Sequence, residues 1–178
     1  EKESKKWFEY WKKERMNWYL ALGLKKQNLR FREHAPDERA HYARAAWDIE
    51  YKLETGWKEF EGIHHRGDWD LSRHQEFSGK DLIYFDEETK ERFVPWVIET
   101  SGGVDRAALF FLADAYEEEI LPPRQARGQD DGKQETRVVL KLHPKLAPYK
   151  VAVFPLLANK PQLVKLAHSI YDNLRGEF

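Results

Sequence analysis

The sequence predicts an α+β protein in which helices flank an antiparallel sheet. Three features favour this fold class: an opening stretch with helical periodicity and no Gly or Pro, a stretch that alternates apolar and polar residues, and an apolar stretch that passes through a glycine pair into a second helical pattern. The chain has 178 residues, 41% hydrophobic and 34% charged, a composition that excludes disordered and collagen-like proteins.

The first predicted element is an amphipathic helix over residues 1–22. Trp7, Trp11 and Trp18 recur near the helical period with Lys and Glu between them, and Gly23 stands where a helix C-cap is expected. Aromatic residues at this spacing favour packing in a core or an interface over stacking on nucleic-acid bases. We therefore expect the tryptophans to lie in a core or an interface.

An antiparallel hairpin is predicted next. Residues 43–53 alternate apolar and polar side chains, which is the pattern of a half-buried strand. Thr55 and Gly56 supply a turn, and residues 57–63 form the return strand. Carboxylates from both strands should then line up on the sheet.

The middle of the chain predicts shorter elements. Residues 70–79 are polar and compatible with a helix, residues 82–85 form a short strand, and residues 86–89 form a turn. Residues 93–98 are apolar on both faces, which indicates a strand that is covered on both sides and ends at Glu99.

The last part of the chain alternates helix, loop and strand patterns. A helix over residues 104–118 is apolar on most of its surface and should be buried against the sheet. Residues 122–137 are rich in Pro, Gly, Gln and charge, which predicts a solvated loop or insertion. Strands are expected at 138–142 and 151–155, and Pro161 opens a final helix, so the chain ends in a strand followed by a helix, the first βα unit of a new domain.

Charge and cysteine content narrow the function classes. Thirty Lys and Arg against 31 Asp and Glu give a net charge of -1, so the chain has no overall positive field for nucleic acids or anionic membranes. The absence of cysteine excludes disulfides and thiolate metal sites. The sequence has neither a signal-peptide pattern nor a long apolar run, so no membrane association is expected and the predicted location is cytoplasmic.

The segment from Glu99 to Arg106 is the most informative for function. Glycines 102 and 103 let a ligand approach the backbone between the predicted strand and helix. Arg106 falls in the first turn of that helix, where a cation is unfavourable unless an anion such as phosphate lies nearby. Pairing of Arg106 with a neighbouring carboxylate would also satisfy it. Glu99 could likewise bind an ammonium group or cap a helix.

A second polar cluster lies between residues 59 and 74. Its His and Asp residues suggest a metal ion, but His64 and His65 are adjacent on a strand and should point to opposite faces, which favours a polar strand end. No residue is therefore assigned to a metal. Arg66 fits a second anion contact better than a structural role.

These features together resemble the catalytic core of class II aminoacyl-tRNA synthetases, and more closely the dimeric glycyl-tRNA synthetase family. The resemblance spans most of the chain. The segments that carry it are Glu59–Ile63, Arg66, Asp68–Leu71, Val94–Glu99, Ser101, Gly103–Arg106, Lys141–Pro148 and Lys150–Val153.

The resemblance implies a set of ATP contacts. In that family a Gly-Val-Asp-Arg turn, a Glu-Leu pair on the preceding strand and a phosphate-side arginine meet ATP. The corresponding residues here are Glu59, Phe60, Arg66, Gly103, Val104, Asp105 and Arg106. Arg106 and Arg66 are the implied catalytic residues, since arginines offset charge on the phosphates. Phe60 departs from the family's leucine.

The resemblance also implies the amino-acid and adenylate pocket. A glutamate and a serine just before the turn bind the amino acid in that family, and a carboxylate suits the glycine ammonium. The pocket residues here are Glu99, Thr100, Ser101, Gly102 and Gly103. Thr100 departs from the proline that usually separates the glutamate and the serine.

The implied function is that of a glycine–tRNA ligase, which activates glycine with ATP and Mg²⁺ and transfers it to the 3′ end of tRNA(Gly), as a homodimer. Residues 1–148 would be the C-terminal part of the catalytic domain and residues 149–178 the start of an α/β anticodon-binding domain. The family's first two motifs would lie upstream, so the chain is expected to be a segment that is inactive alone. A non-catalytic, nucleic-acid-binding relative such as a polymerase accessory subunit, or a synthetase for another small amino acid, are the alternatives.

Overall fold

The computed structural model describes residues 2–121 and 136–177. Its helices are α1 (Lys2–Ala21), α2 (Trp69–Ser78), α3 (Val104–Ala115) and α4 (Pro161–Arg175), with a 3₁₀ turn at Lys26–Asn28. Its strands are β1 (Leu29–Glu33), β2 (Ala45–Leu53), β3 (Gly56–Gly67), β4 (Tyr84–Phe85), β5 (Arg92–Phe93), β6 (Val97–Gly102), β7 (Tyr116–Ile120) and β8 (Thr136–Leu140). The predicted α+β class, with helices flanking an antiparallel sheet, is confirmed.

The main sheet has four antiparallel strands in the order β1-β2-β3-β6. β2 and β3 form the predicted hairpin, with Leu53 opposite Gly56. Gly56 has a φ of 104°, a conformation that glycine adopts without strain at a tight turn. β6 pairs with the other edge of β3 and brings Glu99 opposite His64. The hairpins β4–β5 and β7–β8 form two small separate sheets.

One irregularity in the pairing of β2 with β3 decides which side chains share a face. Ile49 lies opposite Glu61 and Glu50 lies opposite Glu59, so Phe60 is an extra residue on β3. Phe60 and Glu61 both contact α1 as a result. Glu59 is left on the opposite face of the sheet with Glu50.

The hydrophobic core lies between the main sheet and the helices α1 and α3. The rings of Tyr19 and Phe110 lie 4.1 and 4.9 Å from that of Phe60, and Tyr51 stacks on Phe110 at 4.8 Å. The buried cluster consists of Phe8, Tyr19, Leu24, Leu29, Ile49, Tyr51, Phe60, Ile63 and Phe110. Because both helices pack on this face, the other face is left to polar side chains.

Helix α1 is confirmed, but the expectation that its tryptophans could form a core is wrong. Trp7, Trp11 and Trp18 are 42–47% exposed, whereas Phe8 and Tyr19 are buried. The helix carries two apolar stripes with the same period, and the stripe of Phe8 and Tyr19 is the one that packs on the sheet.

Two strand predictions also need correction. β2 is not half-buried, because Asp48 and Glu50 are buried along with its apolar residues. The predicted continuous strand over 93–98 is interrupted between β5 and β6, since Pro95 has no N–H for a ladder hydrogen bond. β6 does not end at Glu99 but runs to Gly102, because it pairs with β3 over that length.

Helix α3 is shorter and more exposed than predicted. It ends at Ala115, where the chain enters β7, which pairs with β8. Its buried residues are Phe110, Asp114 and Ala115, while Val104 is 82% exposed. The expectation of a helix largely buried against the sheet is therefore wrong: only one stripe contacts the core.

The predicted elements after α3 are met in part. Residues 122–135 of the predicted loop lie outside the described residues, and 136–137 belong to β8 instead of a loop. The predicted strand at 151–155 pairs with no other strand among the described residues, so the strand of the expected βα unit is not formed, whereas α4 begins at Pro161 as predicted. A strand requires a partner for its backbone hydrogen bonds.

The chain divides into two compact units, one up to Lys141 and one from Leu142 onward. The first unit holds the main sheet and α1, α2 and α3. The second holds α4, of which no residue is buried within the described part of the chain. No helix in residues 2–121 or 136–177 is long and apolar enough to cross a membrane.

Candidate active site

The face of the main sheet opposite α1 and α3 is polar, and we call it the polar face. Strand pairing aligns its side chains in rows, for example Arg32 opposite Asp48 and His64 opposite Glu99. Its residues are Arg30, Arg32, His34, Asp48, Glu50, Glu59, His64, Arg66, Glu99 and Ser101. Both signs of charge are thus gathered on the surface that the core helices leave open.

Two buried carboxylates of β2 form the floor of the polar face. Glu50 accepts a hydrogen bond from Arg30 Nε at 2.6 Å. Asp48 Oδ2 lies 2.7 Å from His34 Nε2 and 3.6 Å from Arg32 Nη1. Neither acid is predicted as a site residue from the sequence, although the alternation of β2 indicates that both lie on one face of the strand. They hold the basic side chains of β1 in place.

Arg66 is held from three sides at the end of β3. Its Nε and Nη2 donate to the two carboxylate oxygens of Asp70 at 2.6 and 2.9 Å, and its Nη1 donates to Glu99 Oε2. Its guanidinium carbon lies 4.0 Å from the centroid of the Tyr42 ring, a cation–π contact. The paired carboxylates raise the pKa of Arg66, with Asp70 the larger cause, and Arg66 in turn lowers the pKa of Asp70.

The predicted amino-acid pocket residues fall on two faces of β6. Glu99 and Ser101 lie opposite His64 and Gly62 on the polar face, whereas Thr100 lies opposite Ile63 on the other face. Glu99 is about one-third exposed, and its Oε1 accepts no hydrogen bond from the residues in 2–121 and 136–177. The structure therefore brings together Glu99, Ser101 and Arg66 but turns Thr100 away.

Gly62 leaves room for the His64 ring beside this pocket. A Cβ built there would lie 2.8 Å from Cε1 of His64, closer than such atoms approach. The His64 ring therefore lies over the bare backbone of Gly62, next to Ser101 on the neighbouring strand.

Arg106 lies at the opposite end of β3 from Arg66. Its Nη1 donates to the backbone oxygen of Glu59 at 3.0 Å and lies 3.8 Å from the Glu59 carboxylate. Both side chains are more than half exposed. Glu59 and Arg66 are about 20 Å apart along the strand, so the two arginines mark separate parts of a long site.

The other residues predicted at ATP are divided between surface and core. Gly103 precedes α3, and Val104 and Asp105 form its exposed first turn beside Arg106. Phe60 is buried among core aromatic rings, so its side chain lies on the face away from Glu59. Phe60 can affect a ligand through the position of Glu59 but not through a side-chain contact on the polar face.

Comparison with known proteins shows which proteins the chain is similar to. No protein-family model matches the chain. Over 176 residues it is 48% identical to a glycine–tRNA ligase of Geobacillus kaustophilus (strain HTA426), covering 99% of the chain. Over 173 residues it is 45% identical to a glycine–tRNA ligase of Treponema denticola, covering 97% of the chain. Over nearly its whole length, the chain is similar to part of these glycine–tRNA ligases.

The chain corresponds to only part of each relative. It spans 35% of the relative from Geobacillus kaustophilus and 37% of that from Treponema denticola. The glycine–tRNA ligase from Streptomyces coelicolor, 45% identical over 182 residues, is matched over 38% of its length. These identities confirm the resemblance to glycyl-tRNA synthetases that the sequence motifs indicate.

The two adjacent histidines of β3 lie on opposite faces of the sheet. His64 lies beside Glu99 on the polar face, whereas His65 lies on the core face, where its Nε2 is 3.0 Å from Ser4 Oγ. Burial lowers the pKa of His65. Within the described ranges, no three metal-ligating side chains lie together.

A buried ion pair lies on the core face of β3, and the sequence pattern does not indicate it. Glu61 is 1% exposed and accepts hydrogen bonds from Arg15 Nε and Nη2, at 2.6 and 2.9 Å, and from the Tyr19 hydroxyl. Burial is the larger cause, and the bond to Glu61 the second, of a raised pKa of Tyr19. A period of two places Glu59 and Glu61 on one face, but the extra residue Phe60 separates them.

Proposed function

We propose that the polar face is part of the site at which a glycine–tRNA ligase activates glycine with ATP and then transfers it to tRNA(Gly). The observation that carries the proposal is the 45–48% identity, over nearly the whole chain, to relatives that are named glycine–tRNA ligase. The arrangement of charges on the polar face supports it, because it offers carboxylates for an ammonium group and arginines for phosphates.

The glycine end of the proposed site is at Glu99 and Ser101. The Glu99 oxygen that accepts no bond from Arg66 would accept one from the glycine ammonium, and the Ser101 hydroxyl would complete its hydrogen bonds. Gly102 and Gly103 continue the chain without side chains, which leaves the backbone accessible. Thr100, on the other face, would act only through its backbone.

The ATP end of the proposed site is at Arg106 and Glu59. Arg106 is held loosely and remains half exposed, so its guanidinium is available to a phosphate. Val104 and Asp105 provide the N-terminal turn of α3, where backbone N–H groups and the helix dipole favour an anion.

The reaction needs positioning and charge stabilisation from the protein. The glycine carboxylate attacks the α-phosphorus of ATP, pyrophosphate leaves, and a ribose hydroxyl of the tRNA then takes the glycyl group from the adenylate. Arg66 has two N–H bonds beyond the three given to Asp70 and Glu99, and these would face the phosphate side. Mg²⁺ usually binds through substrate phosphates and water, so in this proposal it arrives with ATP.

Residues 149–178 are proposed to begin the domain that binds the anticodon of tRNA(Gly). The second compact unit supports this, because the apolar side chains of α4, among them Leu166, Ile170 and Tyr171, are exposed and require a covering surface. By the full-length protein we mean a protein of the relatives' full length that contains this chain. We expect it to be a homodimer in the cytoplasm.

The test is ATP–pyrophosphate exchange by the full-length protein with each of the twenty amino acids. We expect exchange with glycine alone. Exchange with a different small amino acid would replace glycine as substrate, and no exchange, together with tight nucleic-acid binding, would favour the non-catalytic relative. The same assay on the isolated chain is expected to show no exchange, and strong exchange there would contradict its being an incomplete site.

A further inference from the structure

The contacts of Arg66 point to Asp70, which is not among the residues proposed above to contact glycine or ATP. Asp70 takes the Nε and Nη2 side of the guanidinium with both carboxylate oxygens, so only Nη1 reaches Glu99. This geometry depends on the turn between β3 and α2. Gly67 there has a φ of 63°, which folds the first turn of α2 back over the end of β3.

We propose that Asp70 is a positioning residue for glycine binding: by holding two donors of Arg66, it keeps one oxygen of Glu99 available to the substrate ammonium. The inference rests on the proposed function and adds a residue to it. Tyr42, whose ring lies against the guanidinium, supports the same orientation.

The donor geometry of arginine carries the argument. A guanidinium pairs most strongly with a carboxylate through two parallel hydrogen bonds. Without the Asp70 carboxylate, Arg66 would turn its two-donor edge toward Glu99 and occupy both of its oxygens. With Asp70 in place, Glu99 receives one bond and keeps the other oxygen, as observed.

The charge of the cluster supports the same conclusion. Asp70, Arg66 and Glu99 together carry one net negative charge, which suits an ammonium ion, whereas an Arg66–Glu99 pair alone would be neutral. Arg66 lowers the pKa of Asp70, so Asp70 stays ionised at neutral pH. The side chains of Arg66 and Asp70 are less than one-quarter exposed, so solvent screens this cluster less than a surface pair.

The experiment compares Asp70→Asn with the wild type in glycine-dependent exchange by the full-length protein. We expect the KM for glycine to rise about tenfold, the loss of one charge-assisted interaction, and to rise more than the KM for ATP, which changes because Arg66 also faces the phosphate side. Asp70→Glu, which restores the carboxylate, should recover part of the loss. The matched control is Glu76→Gln, which removes a carboxylate from an exposed arginine pair on the same helix and should leave both constants unchanged.

Three outcomes would overturn the proposal: an unchanged KM for glycine, an equal rise in both KM values, or a rise for ATP alone, which would make Arg66 a phosphate contact only. If Asp70→Asn does not fold, as judged by its melting temperature, Tyr42→Leu gives the same comparison. A larger rise in the KM for glycine than in the KM for ATP is expected, and no rise in the KM for glycine would contradict the inference. Absence of glycine-dependent exchange in the wild type would instead reject the proposed function itself.

Discussion

At the scale of single residues, the buried carboxylate of Glu61 needs hydrogen-bond partners within the protein. Its charge is balanced by Arg15 and its second oxygen is shared with the Tyr19 hydroxyl. Removing one partner of a buried pair leaves the others without hydrogen bonds in a place that water reaches poorly. β3 is thus tied to α1 by the polar contacts of Glu61 as well as by the packing of Phe60.

We predict that Glu61→Ala destabilises the protein by about 3 kcal/mol, because Arg15 and Tyr19 lose their common acceptor. Urea unfolding of the full-length protein, followed by tryptophan fluorescence, measures the change. Glu76→Ala is the control, since Glu76 is paired with Arg73 at the surface and should not shift the midpoint. Equal midpoints for the two variants would show that the buried pair contributes nothing.

Arg106 is the residue on which the ATP end of the site depends most. Arg106→Ala in the full-length protein is expected to lower glycine-dependent exchange by roughly two orders of magnitude or more, because charge stabilisation on the phosphates is lost. Arg92→Ala removes a similarly exposed arginine, paired with Asp81 at 3.3 Å, and should leave exchange unchanged. Near-normal exchange by Arg106→Ala would remove Arg106 from the site.

At the scale of elements, the irregular pairing of β2 with β3 affects both the core and the site. It places Phe60 in the aromatic cluster, while Glu59 lies on the polar face and is contacted by Arg106. Phe60→Ala should destabilise the protein by about 3–4 kcal/mol, since it removes a ring in contact with Tyr19 and Phe110.

The control for Phe60 is another phenylalanine of the same chain. Phe77 is 83% exposed on α2, so Phe77→Ala should leave the urea midpoint unchanged. A Phe60→Ala protein as stable as Phe77→Ala would mean that Phe60 does not pack in the core. That result would also put in question the separation of Glu59 from Glu61.

The elements that the sequence predicted well are those whose local pattern and tertiary contacts agree. The hairpin of β2 and β3 combines alternation with a turn glycine, and both signals are local. β6 is different: Ser101 and Gly102 have little strand preference, and pairing with β3 keeps them extended. The start of β7 is likewise predicted as the end of a helix, because its partner β8 lies far along the chain.

The candidate site could be predicted from the sequence only in part. Glu99, Ser101 and Arg66 were assigned from motifs, and the structure brings them together. The face on which Thr100 lies depends on strand register and could not be predicted from the sequence. The role of Asp70 depends on a turn that folds α2 back on β3, and no periodicity in the sequence indicates such a contact.

At the scale of the whole molecule, the proposed site and the proposed RNA-binding region occupy different compact units. The residues proposed to contact glycine and ATP all precede residue 107 and belong to the first unit. The second unit contributes α4, whose apolar face is exposed. Adenylate formation should therefore depend on the first unit, and tRNA charging on both.

Ending the full-length protein after Pro148 tests this division. We expect glycine-dependent pyrophosphate exchange to fall less than about tenfold, because the contacts of glycine and ATP remain. Charging of tRNA(Gly) should fall by at least about a hundredfold, because much of the binding energy for the RNA is removed. Exchange serves as the internal measure of folding, so a protein that still exchanges but cannot charge tRNA would assign residues from 149 onward to RNA recognition. An equal loss of both activities would show that the second unit is needed to build the site itself.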